Sequence, residues 1–193
     1  MAKALFRVNT LVYGLRVTER LTKSDWIAHG MRTLASDGAA GLKVGSMATG
    51  LRVSRGSFYW HFEDIADFRS QLLKSWQERT TDQVIRTLET EAGPERLKQL
   101  LTRAFDRRPS ADRAIRSWAA EDEEVAAIVA SVDARRIAYI ADLIVAAGVE
   151  RPRALRRATV LYWAWLGQTL VMDARHASLA DVDMGDICDL FES

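Results

Sequence analysis

The sequence predicts an all-α fold of about nine helices, with a small N-terminal three-helix unit followed by a larger helical body. Apolar residues recur at three- and four-residue spacing along most of the 193-residue chain. No alternating segment bounded by tight-turn dipeptides argues for a sheet. The three prolines, Pro94, Pro109 and Pro152, each open a segment with helical periodicity, where a missing N–H costs little.

The first predicted helix covers residues 23–36. Thr22 or Ser24 can cap its N-terminus by accepting a backbone hydrogen bond. The pair Asp37-Gly38 ends it, because glycine readily takes the left-handed conformation that follows many helices.

Two short helices are predicted next, over residues 44–50 and 54–61, with Ser54 as the N-cap of the second. The turn between them contains Arg52. Together with the first helix they form a three-helix unit of the kind that presents one helix to the major groove of DNA.

A long fourth helix begins at Glu63 and Asp64, whose carboxylates suit the positive end of a helix, and ends near Gly93. The organisation is therefore an arm (1–21), a head (22–62) and a body (63–193). The remaining helices are predicted at about 94–107, 111–120, 122–147, 152–174 and 178–191.

Charge is divided unevenly between these parts. Residues 1–62 contain nine Lys/Arg against three Asp/Glu, a net charge of +6, whereas the other 131 residues carry a net −5. A basic head on an acidic body is typical of a phosphate-binding module attached to a body that does not bind phosphate.

The N-terminal arm contributes to this excess of positive charge. It can reach a minor groove or phosphates, or it is an extension without a DNA role. Its basic residues are Lys3, Arg7, Arg16 and Arg20.

Other features bear on compartment and chemistry. Cys188 is the single cysteine, so an intrachain disulfide is impossible and a reducing, cytoplasmic location is expected. No apolar run approaches the length of a membrane span. The three histidines are far apart and show no metal-ligand spacing, so neither a metal nor a cofactor is expected.

The third predicted helix has the residue types of a DNA-reading helix. Ser54, Gly56 and Ser57 are small, so the backbone can approach a duplex closely. Arg55 can reach O6 and N7 of guanine, the commonest specific base contact. Other candidates for DNA contacts, mostly to phosphates, are Lys23, Lys43, Thr49, Arg52, Tyr59, Trp60 and His61.

The run from Leu51 to Phe62 resembles the signature of the tetracycline-repressor (TetR) family of transcriptional regulators. The core of that signature, Val-Ser-x-Gly-Ser/Thr-Phe/Leu-Tyr-x-His-Phe, is matched without a break from Val53. The specific resemblance covers roughly residues 22–73, and the rest agrees in helix number and length. The match continues upstream at Gly38, Leu42, Val44 and Ala48.

Two positions depart from the family pattern. Arg52 stands in the turn where the family usually has glycine, and a left-handed non-glycine residue costs roughly 1 kcal/mol. Ile65 stands where the family usually has a lysine near the start of the fourth helix, which removes one expected phosphate contact.

The resemblance implies a homodimer whose two heads read a palindromic operator, usually as a repressor. It also implies that the last two helices form the dimer interface. The eighth predicted helix is apolar over a broad surface, and burial inside one monomer is the alternative interpretation of it. The interface candidates are Leu161, Trp165 and Leu170.

The resemblance further implies an effector pocket between the fourth and eighth helices. An aromatic lining would suit a small, largely apolar or aromatic effector, although ordinary core packing is the alternative for each residue. Arg135 and Arg136 either lie on a solvated face or send one side chain inward, to an anionic ligand or to Asp142. His176 lies at the pocket mouth or on the surface. The pocket candidates are Phe68, Leu72, Trp76, Phe105, Trp118, Tyr139 and Tyr162.

Two rival functions compete with this interpretation. An enzyme would need a nucleophile with its base or clustered carboxylates. Ser57 and His61 lie within the DNA motif, however, and the acidic run 121–124 begins a helix. A DNA-binding regulator that lacks an effector pocket is the second alternative, and a cavity in the body would separate it from a ligand-sensing form.

Overall fold

The chain is α-helical throughout its described part, as the periodicity predicts. The computed structural model describes residues 21–91, 95–106, 110–171 and 184–192. No β-strand occurs within these ranges. The four basic residues of the predicted arm and His176 lie outside the described residues.

The head consists of three α-helices around a short 3-10 turn. The third helix is shorter than the predicted span of 54–61, because the chain leaves helical geometry after Tyr59. The elements are α1 (Lys23–Asp37), the turn Ala39–Gly41, α2 (Val44–Gly50) and α3 (Arg55–Tyr59).

The body begins with one long helix that contains a π-helical turn. Because α4, this π-turn and α5 run on without a break, the helices within the described ranges correspond one by one to the nine predicted from sequence. The body elements are α4 (Ile65–Gln77), the π-turn (Glu78–Asp82), α5 (Gln83–Glu91), α6 (Arg96–Asp106), α7 (Ser110–Ala119), α8 (Glu123–Ala146), α9 (Arg151–Leu166) with a second π-turn (Gly167–Val171), and α10 (Met184–Glu192).

Side-chain caps fix where α1 and α4 begin. At α1, Thr22 Oγ1 accepts from the N–H of Asp25, and the Asp25 carboxylate accepts from the N–H of Thr22 at 2.7 Å, a reciprocal capping box. At α4, the N–H of Asp67 donates to Asp64 at 2.8 Å. These bonds satisfy backbone donors that have no partner within the helix.

Helices α1 and α4 approach each other closely at Gly30. A Cβ atom at this position would lie 2.4 Å from Cζ of Phe68 and 2.9 Å from a methyl group of Leu72. Glycine inside a helix costs up to about 1 kcal/mol relative to alanine. Here the close packing of the head on α4 requires it.

An aromatic cluster holds α3 against α1 and α4. The Phe58 ring is fully buried and lies 5.3 Å from Trp26, 5.0 Å from Phe62 and 5.6 Å from Phe68, measured between ring centroids. Such pairs contribute about 0.5–1.5 kcal/mol each beyond the area they bury. Phe58 and Phe62 therefore face the interior, and the short α3 is fixed by tertiary packing.

The buried hydrophobic side chains of the described residues form two cores. The first joins the head to α4, α7 and the first half of α8, and includes Trp76, Ile115 and Trp118. The second joins α6, the second half of α8, α9 and α10. The head therefore shares one continuous core with part of the body.

The turn before α3 contains the one non-glycine residue with positive φ in the described part of the chain, Arg52 at 57°. This is the left-handed conformation expected where the TetR signature has glycine. The N–H of Val53 donates to the carbonyl of Ala48 at 3.0 Å across the turn.

Replacing Arg52 with glycine is expected to raise the free energy of unfolding by about 1 kcal/mol, because glycine takes this conformation without steric cost. Arg52→Ala is the matched control, since it removes the same charge but keeps the strain. Urea denaturation of both variants checks the prediction. Equal stability of the two variants would show that the turn is not strained.

Candidate nucleic-acid interface and ligand cavity

The outer face of α3 exposes the residues predicted to meet DNA. Ser54, Arg55 and Gly56 are exposed at its N-terminus. At its C-terminal end the side chains of Tyr59 and Trp60 are 59% and 78% exposed. Tyr and Trp side chains, which combine a large apolar ring with a polar group, are enriched at interfaces.

The guanidinium of Arg55 lies across the start of α2. A Cβ atom added to Gly45 would meet Arg55 Nη2 at 2.9 Å and Nε at 3.3 Å. The side chain therefore bridges α2 and α3 on the exposed side of the head. The absence of a side chain at position 45 leaves room for this position of the guanidinium.

The other predicted DNA contacts fall into two groups. Lys43, Thr49 and Arg52 are exposed around α2 and the turn, and Lys23 Nζ lies 5.3 Å from the centre of the Phe62 ring. His61 is half-buried instead, and its Nε2–H donates to the carbonyl of Leu21 at 2.8 Å. In this conformation His61 ties the entry of α1 to the end of α3, and its Nε2 is not free for a phosphate.

A cavity of about 730 Å³ lies in the body between α5, α6, α7, α8 and α9. This volume is within the range of small-molecule sites. The π-turn contributes Thr80 and Thr81 to its wall. The other lining residues are Arg79, Gln83, Val84, Ile85, Thr87, Leu100, Leu101, Arg103, Ala104, Phe105, Ala111, Asp112, Arg136, Tyr139, Ile140, Leu161, Tyr162 and Trp165.

The predicted pocket residues separate into two sets. Phe105, Tyr139 and Tyr162 line the cavity. Phe68, Leu72, Trp76 and Trp118 belong to the core shared with the head and do not line it. This corrects the predicted lining, because aromatic content alone does not indicate which of two adjacent cores a side chain enters.

Arg136 points inward and holds four helical elements together. Its Nη1 lies 2.8 Å from Asp112 Oδ1, and it donates to the hydroxyl oxygens of Thr80 and Thr81 at 2.8 Å each and of Tyr162 at 3.4 Å. The guanidinium also lies over the Trp76 and Trp165 rings, 5.4 and 5.5 Å from their centres. Its carboxylate partner is therefore Asp112, whereas Asp142, the protein partner considered from the sequence, pairs with Arg151.

A second ion pair adjoins the first. Arg116 binds both oxygens of Asp133, at 2.9 and 2.6 Å. The Tyr162 hydroxyl donates to Asp133 at 2.7 Å and accepts from Arg116 at 3.0 Å, which links the two pairs. Burial raises the pKa of Tyr162 to about 12, so its phenol is neutral in the physiological range.

Helical spacing around Arg136 is the sequence signal that could have indicated its inward position. Val129, Val132, Arg136 and Ile140 follow one another at three- and four-residue spacing along α8, and the three apolar members are buried. Arg136 therefore occupies the inward stripe of its helix. Arg135 lies off this stripe, is 54% exposed and pairs with Asp82 at 3.0 Å.

The residues predicted to form the dimer interface do not lie together on one exposed face. Leu161 is buried in the second core, and the Trp165 indole donates to the carbonyl of Ala104 at 3.1 Å and lines the cavity. In the monomer Leu161 is therefore an interior residue and half-buried Trp165 faces the cavity, which leaves little of either side chain for a dimer surface. The exposed apolar side chains of α9 are instead Leu155, Val160 and Trp163, and Leu170 is half-buried.

The described residues contain neither a membrane-spanning helix nor a cluster of metal ligands. No helix among them is both long and apolar enough to cross a membrane. No group of His, Cys, Asp or Glu side chains in the same ranges is arranged to hold a metal ion.

Comparison with known proteins shows the fold. E. coli NemR in its reduced form superposes with a TM-score of 0.68 and 16% identity over 86% of this chain and 96% of that chain. A Rhodococcus sp. protein assigned to the TetR family of transcriptional regulators superposes with a TM-score of 0.60 and 21% identity, over 89% and 98% of the two chains. No family model and no curated protein matches the sequence.

A third structure, BioQ with its natural double-stranded DNA operator, aligns with 20% identity and a TM-score of 0.47 over 89% of this chain and 95% of that one. That agreement is too low to transfer its DNA contacts residue by residue. The first two superpositions establish that the chain has the fold of TetR-family regulators along nearly its whole length.

Proposed function

We propose that the chain is a TetR-type transcriptional regulator, acting as a repressor, that binds a palindromic operator as a homodimer and is released by a small, largely apolar or aromatic effector. The observation that carries this proposal is the exposed face of α3. There Arg55, Tyr59 and Trp60 project from a helix whose opposite side is locked into an aromatic core.

The proposal for DNA rests on shape and charge together. Helix α3 begins with small residues, so its N-terminal end can enter a major groove with Arg55 near base edges. Lys43 and Arg52 flank it as exposed cations that can contact phosphates.

Selection of bound duplexes from a random pool tests the DNA proposal. We expect enrichment of an inverted repeat whose half-sites are centred about one helical turn, roughly 10 base pairs, or a multiple of it apart. Enrichment of no sequence, or of an unrepeated site bound by one subunit, would contradict the proposal.

The cavity favours a ligand-sensing regulator over one without an effector. It is bounded by α5 and the π-turn, which continue from α4, and α4 is packed into the core of the head through Phe68 and Leu72. Helix α7 makes a second connection, since Asp112 lines the cavity while Ile115 and Trp118 lie in that same core. A ligand that displaces these elements would change the spacing of two recognition helices and lower DNA affinity.

Titration of a cavity-binding ligand against a labelled operator tests this coupling. We expect DNA affinity to fall as the cavity fills. An unchanged affinity at saturating ligand would contradict the sensing role and leave the DNA-binding role standing.

The dimer is proposed to form through the exposed apolar side chains of α9. Trp163 is 63% exposed and Val160 lies one turn away on the same side of the helix. Burial of these side chains against a second copy would remove apolar surface from water at about 25 cal/mol per Å².

Trp163→Asp is therefore expected to shift the protein from dimer to monomer and to weaken operator binding with it. Light scattering after gel filtration measures the mass. Trp60→Asp is the matched control, since it changes a tryptophan on the head that is even more exposed and should leave the mass unchanged. A Trp163→Asp protein that stays dimeric would place the interface elsewhere.

A further inference from the structure

The buried charges in the cavity wall, Asp112 and Arg136, neutralise each other, and the Arg116–Asp133 pair lies behind them. This inference rests on the proposed function, in that the cavity is taken as the effector site. We infer that the cavity selects a ligand whose buried part is uncharged, and that the Asp112–Arg136 pair sets this selectivity.

Charge compensation is the first reason. Arg136 is balanced by Asp112 at 2.8 Å, and Arg116 by both oxygens of Asp133. A ligand carboxylate placed at Arg136 would also lie beside Asp112, and a ligand ammonium placed at Asp112 would also lie beside Arg136. Either ion would lose its hydration, and the opposite charge that it meets in the wall would already be neutralised by its own partner.

Hydrogen-bonding capacity is the second reason. The guanidinium of Arg136 already donates to Asp112, Thr80, Thr81 and Tyr162. The hydroxyl hydrogen of Tyr162 is given to Asp133. A charged ligand group that enters the cavity loses its hydrogen bonds to water. To form new ones here it would have to displace hydrogen bonds that these side chains already make with one another.

The rest of the wall agrees with an uncharged ligand. Most of it is aliphatic or aromatic, including Val84, Leu101, Phe105 and Trp165. Arg79 and Arg103 also line the cavity, and both are exposed, so they lie at its solvent side and not beside the buried pair. The Tyr162 and Trp165 rings stack at 5.4 Å and offer a flat surface.

Three probes of one shape test the inference on the unmodified protein: biphenyl-4-carboxamide, biphenyl-4-carboxylate and biphenyl-4-ylmethylammonium. Isothermal calorimetry is expected to show the carboxamide binding at least about tenfold more tightly than either ion. An ion that binds as tightly as the carboxamide, or binding by none of the three at millimolar concentration, would overturn the inference.

Asp112→Asn tests the residue that sets the selectivity. It leaves Arg136 uncompensated, so the carboxylate should gain about tenfold relative to the carboxamide, while the ammonium should weaken. Asp186→Asn, on α10 and outside the cavity, is the control and should keep the original ranking. An unchanged ranking in a folded Asp112→Asn protein would overturn the role of this pair, and thermal unfolding confirms the folding.

Operator affinity measured on the same samples separates this inference from the proposed function. Tight carboxamide binding without any change in DNA affinity would leave the charge selectivity intact and contradict the coupling. Tightest binding by an ion that also releases DNA would contradict the charge selectivity and support the sensing role.

Discussion

Replacing Arg55 with alanine is expected to weaken specific operator binding by at least about 30-fold. A bidentate contact between arginine and guanine is worth about 1–3 kcal/mol, and a dimer loses two of them. Arg55 is exposed at the start of α3, and its truncation leaves the core packing intact, so stability should not change. Fluorescence anisotropy with the selected operator and with a scrambled duplex measures both specific and non-specific binding.

Alanine variants of two other cationic residues, Lys43 and Arg153, are compared with Arg55→Ala. Lys43→Ala should weaken binding to all duplexes alike and lower the salt slope by about 1 for each phosphate that Lys43 neutralises, because phosphates carry no sequence information. Arg153→Ala, on the exposed start of α9, should change neither. Equally weakened binding to the operator and the scrambled duplex for Arg55→Ala would show that Arg55 binds phosphate instead.

Replacing Arg136 with methionine is expected to lower the free energy of unfolding by about 3–5 kcal/mol, the usual cost of leaving one partner of a buried ion pair alone. The Arg136 and Asp112 side chains are 10% and 6% exposed, so water replaces little of the missing interaction. The hydroxyls of Thr80 and Thr81 lose their donor as well. Urea denaturation followed by circular dichroism measures the decrease.

The neighbouring residue provides the control. Arg135→Met removes the same charge from an ion pair that is half-exposed on the arginine side, and such pairs contribute about 0–1 kcal/mol. Adding Asp112→Asn to Arg136→Met should recover part of the stability, since no buried carboxylate then remains uncompensated. Similar destabilisation by Arg135→Met and Arg136→Met would show that Arg136 does not stabilise the fold as a buried link between the π-turn, α7 and α9.

Local signals predicted most of the head. Thr22, Ser54 and Asp64 stand at the N-cap positions of their helices, where Thr22 and Asp64 accept a backbone hydrogen bond and Ser54 does not. The left-handed Arg52 lies where the signature has glycine. These features depend on residues a few positions apart, which a single sequence contains.

The cavity was less predictable because it depends on how distant helices meet. Phe68 and Trp118 are apolar residues on helical stripes, as Phe105 is, and spacing does not indicate which core each enters. Local spacing does not distinguish the π-turn at Glu78–Asp82 from ordinary α-helix, yet this turn brings Thr80 and Thr81 to Arg136. Helix α9 is apolar on several sides, so spacing could not separate its inner residue Leu161 from its outer residue Trp163.

Methylation of guanine N7 in the selected operator, with and without bound protein, tests most directly that α3 reads the major groove. N7 lies in that groove, so each half-site should show a protected guanine, and the two protected positions should be related by the symmetry of the repeat. With Arg55→Ala at saturating concentration, protection of that one guanine in each half-site should disappear while the rest of the footprint remains. Absence of N7 protection by the unmodified protein, or the same protection by the variant, would contradict this account of the recognition helix.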